Sequence, residues 1–228
     1  MDVGLYIAAQ GMLVEQVRQD QMANDLANAS TPGYKSDRTT QQDFGSLLLT
    51  QTATGQTVGS ITTGLRVGSI VTDLSPSGLR QTGQPLDFAI AGTGFFALRT
   101  PQGLRYTRDG QFSSNSQGLL VDAQGDEVLS QAGTPIQVSA KGTVQPAALG
   151  VFNLAGAAKQ GDNLYTGTAT GRASGNVVQG SLEDSSVDAV HTMVDMIASL
   201  RAYESGQKAI SSIDETLQAS AQSEGSIS

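Results

Sequence analysis

The segment MANDLANASTPGYKSD, residues 22–37, begins with a helical pattern and is interrupted at Pro32-Gly33. Because proline disfavours helical geometry in the residue before it, a helix that begins near residue 3 is expected to end by residue 30. Apolar and small residues recur along this helix at the three- and four-residue spacing of a coiled-coil seam: Leu5, Ala9, Met12, Ala23 and Leu26. The residues beyond Pro32-Gly33 lack this pattern, so the chain should pass there into a different domain.

The opposite end of the chain has a second helical pattern, over residues 186–220. Ser185 or Ser186 suits the N-cap, since short polar side chains accept hydrogen bonds from the free amides of a first turn. Gly206 lies inside this helix and should cost about 1 kcal/mol relative to alanine. An apolar stripe runs along the helix: Val187, Val190, Val194, Ile197, Leu200, Tyr203, Ile210, Ile213 and Leu217.

The middle of the chain, residues 71–180, reads as all-β. Two short apolar runs flank Gly92-Thr93-Gly94, and Gly-containing turn signals follow at Asp109-Gly110, Gln117-Gly118 and Gln124-Gly125. Asp-Gly between β-forming residues predicts a hairpin, because both central positions tolerate positive φ. The spacing of the turn signals is typical of a sandwich or an open barrel.

These patterns predict a mixed α and β fold in which N- and C-terminal helices pair as a coiled-coil-like bundle, with a central all-β domain. The expected divisions are an N-terminal assembly helix (1–30), a connector (31–70), the β domain (71–180) and a C-terminal assembly helix with its tail (181–228). Residues 50–64 have little apolar content and are expected to be extended or loosely ordered, with one or two strands in the connector.

Two helices with narrow apolar seams are marginal in water and need further partners. Copies of the same chain would supply them, and one contact repeated without closing produces a helical filament. The competing interpretation is that the stripes fold back on the β domain as ordinary core. A third is a binding or adhesin module carried on a helical stalk, although a stalk would require longer unbroken heptads.

Composition excludes several classes of protein. The net charge of −8 and the absence of a basic stripe argue against nucleic-acid binding. The chain has no cysteine, which excludes disulfide frameworks and thiolate metal sites. No segment approaches the roughly 20 apolar residues of a membrane span, so no lipid-embedded segment is expected. The N-terminus has no basic n-region, so we expect no cleaved secretory signal peptide.

No catalytic, cofactor or metal site is expected. His191 is the single histidine and lacks the company that a catalytic triad or a metal site requires. The segment DAQGDE (122–127) resembles a calcium loop only superficially and is better explained as a tight turn. The segment GTGFF lacks the third glycine and the helix of a dinucleotide-binding fingerprint. A β-rich hydrolase would lack a nucleophile and base, so we expect no enzyme.

Three longer motifs carry a resemblance that covers essentially the whole chain. NDLANASTPGYK (24–35) resembles the N-terminal signature of the flagellar rod and hook proteins. LDFAIAGTGFF (86–96), YTRDGQF (106–112) and GLLVDAQGDEVL (118–129) are similar to the central β segment of that family. GSLEDSSVDAVHTMVDMIASLRAYESGQKAISSIDETLQ (180–218) resembles its C-terminal helix. The length of the chain fits the short rod proteins, with distal rod subunits favoured over proximal ones.

The resemblance implies a structural subunit that assembles into a hollow helical tube, transmits torque from motor to hook and conducts exported subunits. It implies other rod and hook subunits and the flagellar export apparatus as partners, and an extracytoplasmic place in the basal body. The residues expected to pack between subunits are Leu5, Met12, Leu26, Val190, Val194, Ile197, Leu200, Ile210 and Ile213. Pro32 and Gly33 are expected to form the hinge between helical sheath and β domain, the alternative being a plain helix stop.

Overall fold

The computed structural model describes residues 2–43, 46–50, 57–62, 65–161 and 163–225. The chain divides into two compact units. The helical unit comprises Met1–Leu26, Asp37–Val71 and Ala189–Ser228, and the β unit comprises Ala27–Ser36 and Thr72–Asp188. The chain therefore passes between the units several times. The mixed α and β composition, with a helix at each end and a mostly-β middle, agrees with the sequence prediction.

Helix α1 spans Asp2–Ala27 and helix α2 spans Ala189–Gly225. Helix α1 ends at Ala27, within the predicted limit of residue 30, and the chain turns at Asn28, whose carbonyl accepts a hydrogen bond from Thr31 N at 3.1 Å. The N-cap prediction at Ser185 or Ser186 is wrong. Ser186 Oγ accepts a hydrogen bond from Ser36 N at 2.8 Å, and α2 begins three residues later.

The strands are short and follow one another through the middle of the chain. Their bounds are β1 Asp37–Asp43, β2 Ser46–Thr50, β3 Thr57–Thr62, β4 Leu65–Thr72, β5 Leu79–Gln81, β6 Phe88–Ala91, β7 Phe95–Thr100, β8 Gly103–Thr107, β9 Ser113–Ser114, β10 Leu120–Val121, β11 Glu127–Val128, β12 Val151–Gln160, β13 Leu164–Arg172, β14 Asn176–Gln179 and β15 Ser181–Glu183.

Strands β1–β4 occupy the segment predicted as a connector. β1 pairs with β4, and β2 pairs antiparallel with β3. The segment therefore contains more strand than the one or two expected. The prediction for residues 50–64 falls partly outside the described residues, which omit 51–56 and 63–64.

A closed ring of strands forms the centre of the β unit. β7 pairs with β8, β8 with β13, β13 with β12 and β12 with β7, all antiparallel. β7 also pairs with β11, from which β10 and β9 continue the sheet. Two smaller antiparallel pairs, β6–β14 and β5–β15, complete the unit.

Strand β7 is buried on both faces. Successive side chains of a strand point to opposite sides, and here Phe96 and Leu98 enter one apolar cluster while Phe95 and Ala97 enter the other. The rings of Phe96 and Phe112 meet edge to face with centroids 5.3 Å apart, a favoured aromatic geometry. The residues after Gly94 do not alternate between apolar and polar, because both faces of this strand pack against apolar clusters.

Two of the three predicted Gly-containing turns are confirmed, and the third is wrong. Gly118 (φ +77°) lies in the turn between β9 and β10, and Gly125 (φ +89°) lies in the turn between β10 and β11, as predicted. The Asp122 carboxylate accepts the amides of Gln124 and Asp126 at 2.9 and 2.8 Å, which closes the tight turn expected for DAQGDE. The hairpin predicted at Asp109-Gly110 is wrong. Gly110 is absent from the left-handed region and instead lies against the main chain of Phe88, with Phe88 N donating to Gly110 O at 3.0 Å.

Candidate functional site

Within the helical unit, α1 and α2 touch at three positions of α2, Ser199, Gly206 and Ile213. Ser199 Oγ donates to Glu15 Oε2 at 2.6 Å. A Cβ atom built on Gly206 would lie 2.9 Å from Met12 Cγ, and one built on Gly4 would lie 3.7 Å from Ile213 Cδ1. The α2 positions recur every seven residues while their α1 partners run in the opposite direction. The two helices are therefore antiparallel along this line of contact.

The outer face of α2, defined here by five apolar side chains, is largely open to solvent. The exposed fraction of these side chains ranges from 47% at Leu200 to 72% at Val190. With about 100° per residue, this face lies about half a turn around the helix from the α1 contact positions. It is consequently the side of α2 that the partner helix of the same chain leaves uncovered. Its members are Val190, Met193, Val194, Ile197 and Leu200.

A second exposed apolar face lies on α1. Tyr6, Leu13 and Val17 fall within about 40° of one another around the helix and are all exposed. They lie roughly opposite the positions that contact α2. The sequence pattern did not single them out, and Gln10 interrupts this side between Tyr6 and Leu13.

The remaining predicted interface residues have varied surroundings. Leu5 is exposed, whereas Leu26 and Ile213 are half-buried. Met12 and Ile210 line an open, mostly apolar groove within the helical unit, together with Ala9, Leu13, Gln16 and Tyr203. Four of the predicted residues thus lie on the outer face of α2, two line the groove and Ile213 contacts α1, whereas Leu5 and Leu26 belong to none of these groups.

Three segments of the β unit, each next to a point where the chain enters or leaves the unit, lie side by side. The chain leaves the unit after Ser36, re-enters at Thr72 and leaves again after Asp188. Asp73 N donates to Ser36 O at 3.0 Å, and Ser36 N donates to Ser186 Oγ at 2.8 Å. Ser186 N donates to Tyr34 O at 3.0 Å. We call this region, residues 33–36, 73–77 and 183–186, the junction.

Three buried charged side chains lie within the junction or directly beside it. Lys35 and Glu183 have fully buried side chains, with Lys35 Nζ 2.7 Å from Glu183 Oε1. Arg108 Nη1 lies 3.0 Å from Glu183 Oε2, and its side chain is 1% exposed. Burial lowers the pKa of Lys35, while the hydrogen bond and the charge of Glu183 oppose that shift. One carboxylate therefore serves two cations.

The predicted hinge residues form part of this region. Gly33 is buried with φ +67°, and a Cβ atom there would lie 2.4 Å from Arg108 C. Gly33 N donates to Glu183 O at 2.8 Å. Asn163 Nδ2 donates to the carbonyl of Pro32 at 3.1 Å. The Pro-Gly turn is thus held by the β unit through main-chain contacts.

Asp109 lies beside the same turn. Its Oδ2 accepts a hydrogen bond from Asn163 Nδ2 at 3.3 Å, and its Oδ1 accepts one from Gln111 N at 2.9 Å. Burial raises the pKa of Asp109 to about 6, although both hydrogen bonds oppose the shift. From the sequence, Asp109 and Asp126 could be drawn as an acid/base pair, but the glycine beside each favours a turn residue. Its partners are a backbone amide and a carboxamide, which suit a structural role.

Sequence reasoning did not identify the buried charges. Lys35, Arg108 and Glu183 stand within the quoted motifs PGYK, TRDG and SLED, but no local periodicity marks them as partners. The separation of Lys35 from Glu183 is 148 residues. The sequence marks these three residues only by placing them inside motifs that resemble those of a known family.

Comparison with known proteins gives three family-model matches along the chain. Residues 5–35 match "Flagella basal body rod protein", residues 89–146 match the "Flagellar hook protein FlgE/F/G D1 domain", and residues 178–223 match "Flagellar basal body rod FlgEFG protein C-terminal". The flagellar basal-body rod protein FlgG of Caulobacter vibrioides is 33% identical, over 96% of this chain and 98% of its own. The chain belongs to the flagellar basal-body rod protein family.

Other rod proteins extend the match. FlgG of Bacillus subtilis is 33% identical, over 94% of this chain and 96% of its own, and FlgF of Caulobacter vibrioides is 31% identical, over 91% and 92%. The chain is a structural rod subunit and not an enzyme. Among rod proteins the distal subunit, FlgG, is favoured over the proximal subunit, FlgF. Its location is the flagellar basal body, and no described helix is long and apolar enough to cross a membrane.

Proposed function

We propose that this rod subunit assembles with copies of itself into a hollow helical tube through its terminal helices. The observation that carries the proposal is the outer face of α2, where Val190, Ile197 and their neighbours expose apolar side chains on the side away from α1. An isolated folded chain gains nothing from a continuous apolar stripe in water. A neighbouring subunit would cover it.

The α1–α2 contact supports a coiled-coil-like pair within each subunit. Ser199, Gly206 and Ile213 recur at the seven-residue spacing of a coiled-coil seam. Small residues at Gly4 and Gly206 permit the helices to approach closely. Each subunit would then contribute a two-helix element with uncovered apolar surface on both helices, and a head-to-tail contact between such elements does not need to close.

In this proposal the tube transmits torque from the motor to the hook and conducts subunits exported later. Other rod and hook subunits would adjoin it, and the flagellar export apparatus would deliver the chain without a cleaved signal peptide. The β unit would form the outer layer of the tube. Pro32 and Gly33 would set the direction in which the chain leaves α1, and unchanged swimming and rod length after Pro32→Ala would contradict a role for Pro32 in that direction.

The proposal is tested by placing a charge on the outer face of α2. Ile197→Asp should prevent polymers from forming with purified chain or basal bodies, because a carboxylate would be buried without a partner. Ala198→Asp is the matched control: Ala198 is exposed and lies about 100° around the helix from Ile197. Electron microscopy gives the readout, and circular dichroism confirms that the β unit stays folded. Normal polymers of Ile197→Asp would refute the assignment of this face.

A further inference from the structure

The junction brings together parts of the chain that are distant in sequence. Lys35 Nζ donates to Ser75 O at 2.6 Å and to Ser77 Oγ at 3.2 Å, as well as to Glu183. All three hydrogens of the ammonium group therefore have acceptors. The acceptors come from two segments, 75–77 and 183, so this single side chain links all three parts of the junction.

Glu183 makes the complementary set of contacts. Its Oε1 accepts hydrogen bonds from Lys35 Nζ and from Ser77 N at 2.8 Å, and its Oε2 accepts one from Arg108 Nη1. Arg108 Nη2 in turn donates to Gly92 O at 2.9 Å, which ties the group to the loop before β7. The Glu183 carboxylate therefore accepts hydrogen bonds from three separate segments of the chain, through Lys35, Ser77 and Arg108.

Removing the charge of Glu183 should destabilise the junction more than removing the charge of Lys35, because of the balance of buried charge. Lys35, Arg108 and Glu183 amount to two positive charges and one negative charge, all buried. Loss of Lys35 leaves Arg108 and Glu183 as a neutral pair. Loss of the Glu183 charge leaves two buried cations without the carboxylate that both of them contact, and an uncompensated buried charge is strongly destabilising.

We infer that Glu183 is a positioning residue that makes the docking of the three junction segments interdependent, so that residues 33–36 and 183–186 are held or released together. The N-terminal segment buries a lysine that requires a carboxylate 148 positions away. The C-terminal segment supplies that carboxylate. The N-terminal segment therefore docks with its buried charge satisfied only when Glu183 is in place, and main-chain hydrogen bonds from Gly33 N to Glu183 O and from Ser186 N to Tyr34 O join the two segments. This inference concerns the single chain and does not depend on assembly into a tube.

Amide hydrogen exchange of the full chain, under conditions where it is monomeric, tests the inference. The amides of Gly33 and Ser186 report on the two segments, since they donate to Glu183 O and Tyr34 O. The amide of Leu129, which donates to Ala97 O at 2.9 Å, reports on the core of the β unit. In Glu183→Gln we expect exchange at Gly33 and Ser186 to accelerate by the same factor, about 100-fold or more. Leu129 should exchange as in the unchanged chain.

The neighbouring residue provides the matched control. Asp184 pairs with Arg80 at 3.0 Å, but both side chains are about half exposed, and such pairs contribute little to stability. Asp184→Asn should leave all three amides unchanged. An equal effect of Asp184→Asn and Glu183→Gln would overturn the inference.

Lys35→Met is the variant to use if Glu183→Gln also accelerates exchange at the Leu129 amide, which would mean that the whole β unit unfolds. The hydrogen bonds of the Lys35 ammonium group go to Ser75, Ser77 and Glu183, so a smaller but equal acceleration at Gly33 and Ser186 would support interdependence. Faster exchange at Gly33 with Ser186 unchanged would show that the segments are held separately, and the inference would fail.

Discussion

Gly33 lies directly against the main chain of Arg108, and no side chain has room between them. A Cβ atom on Gly33 would lie 2.4 Å from Arg108 C and 2.5 Å from Arg108 O. The backbone of Gly33 is also in the left-handed region, at φ +67°. The glycine of the Pro-Gly turn is therefore required both by its conformation and by the close approach of two main chains.

We expect Gly33→Ala to lower the free energy of unfolding of the β unit by about 3 kcal/mol or more. Left-handed backbone costs a residue with a Cβ about 1–2 kcal/mol, and displacement of the Arg108 main chain adds to this cost. Urea unfolding followed by the circular dichroism of the buried tyrosines gives the value. Gly118→Ala is the control, since Gly118 has φ +77° but open space around it. Equal losses in the two variants would contradict the steric argument.

The carboxyl group of Asp109 should make stability depend on pH. Its pKa is raised to about 6 in the folded chain, whereas an unfolded aspartate titrates near 3.9. The folded state therefore holds the proton more tightly, and the stability due to this group increases as the pH falls from about 6 to about 4. Above pH 6 the folded chain bears the full cost of the buried charge, at most about 3 kcal/mol.

Asp109→Asn should consequently stabilise the chain at pH 8 and have little effect below pH 4. The carboxamide has the same shape and can still accept from Gln111 N, but its NH2 group then meets Asn163 Nδ2, another donor, so the gain at pH 8 is the removed charge less this hydrogen bond. NMR titration of the side-chain carboxyl carbon in the unchanged chain measures the pKa directly. A midpoint near 4 would contradict this prediction, as would equal stability of both chains at pH 8.

The close contact at Gly206 should control the pairing of α1 and α2. Gly206→Leu would place a bulky side chain where a single Cβ already lies 2.9 Å from Met12 Cγ. We expect the two helices to separate along this contact, although leucine is the better helix former. Gly11→Leu is the matched control, because a Cβ on this other helical glycine meets nothing within 4 Å.

The readout for these two glycines is the rate of disulfide formation between cysteines placed at Glu15 and Ser199, whose side chains touch in the unchanged chain. Gly206→Leu should slow cross-linking by about tenfold, and Gly11→Leu should not. Unchanged cross-linking in Gly206→Leu would show that the glycine is tolerated and not required at this position.

The elements that depend on local pattern could be predicted, with errors at their ends. The 3.6-residue periodicity predicted both helices, and the apolar runs on either side of Gly92-Thr93-Gly94 predicted β6 and β7. The ends were less certain, since α1 turns at Asn28 before the proline and Ser186 binds Ser36 instead of capping α2. Asp109-Gly110 has the local signal of a hairpin, but contact with Phe88 decided its conformation.

Local sequence patterns are enough to predict the two helices and the strand-rich middle, and the motifs are enough to indicate the rod family. These properties depend on the spacing of neighbouring residues, which a chain carries whatever its fold. Tertiary contacts, by contrast, are needed to bring Lys35 and Arg108 to Glu183 and to turn the apolar side chains of α2 away from α1. Both outcomes depend on which distant segments are brought within a few ångströms, where burial makes an unpaired charge costly and close packing excludes a side chain.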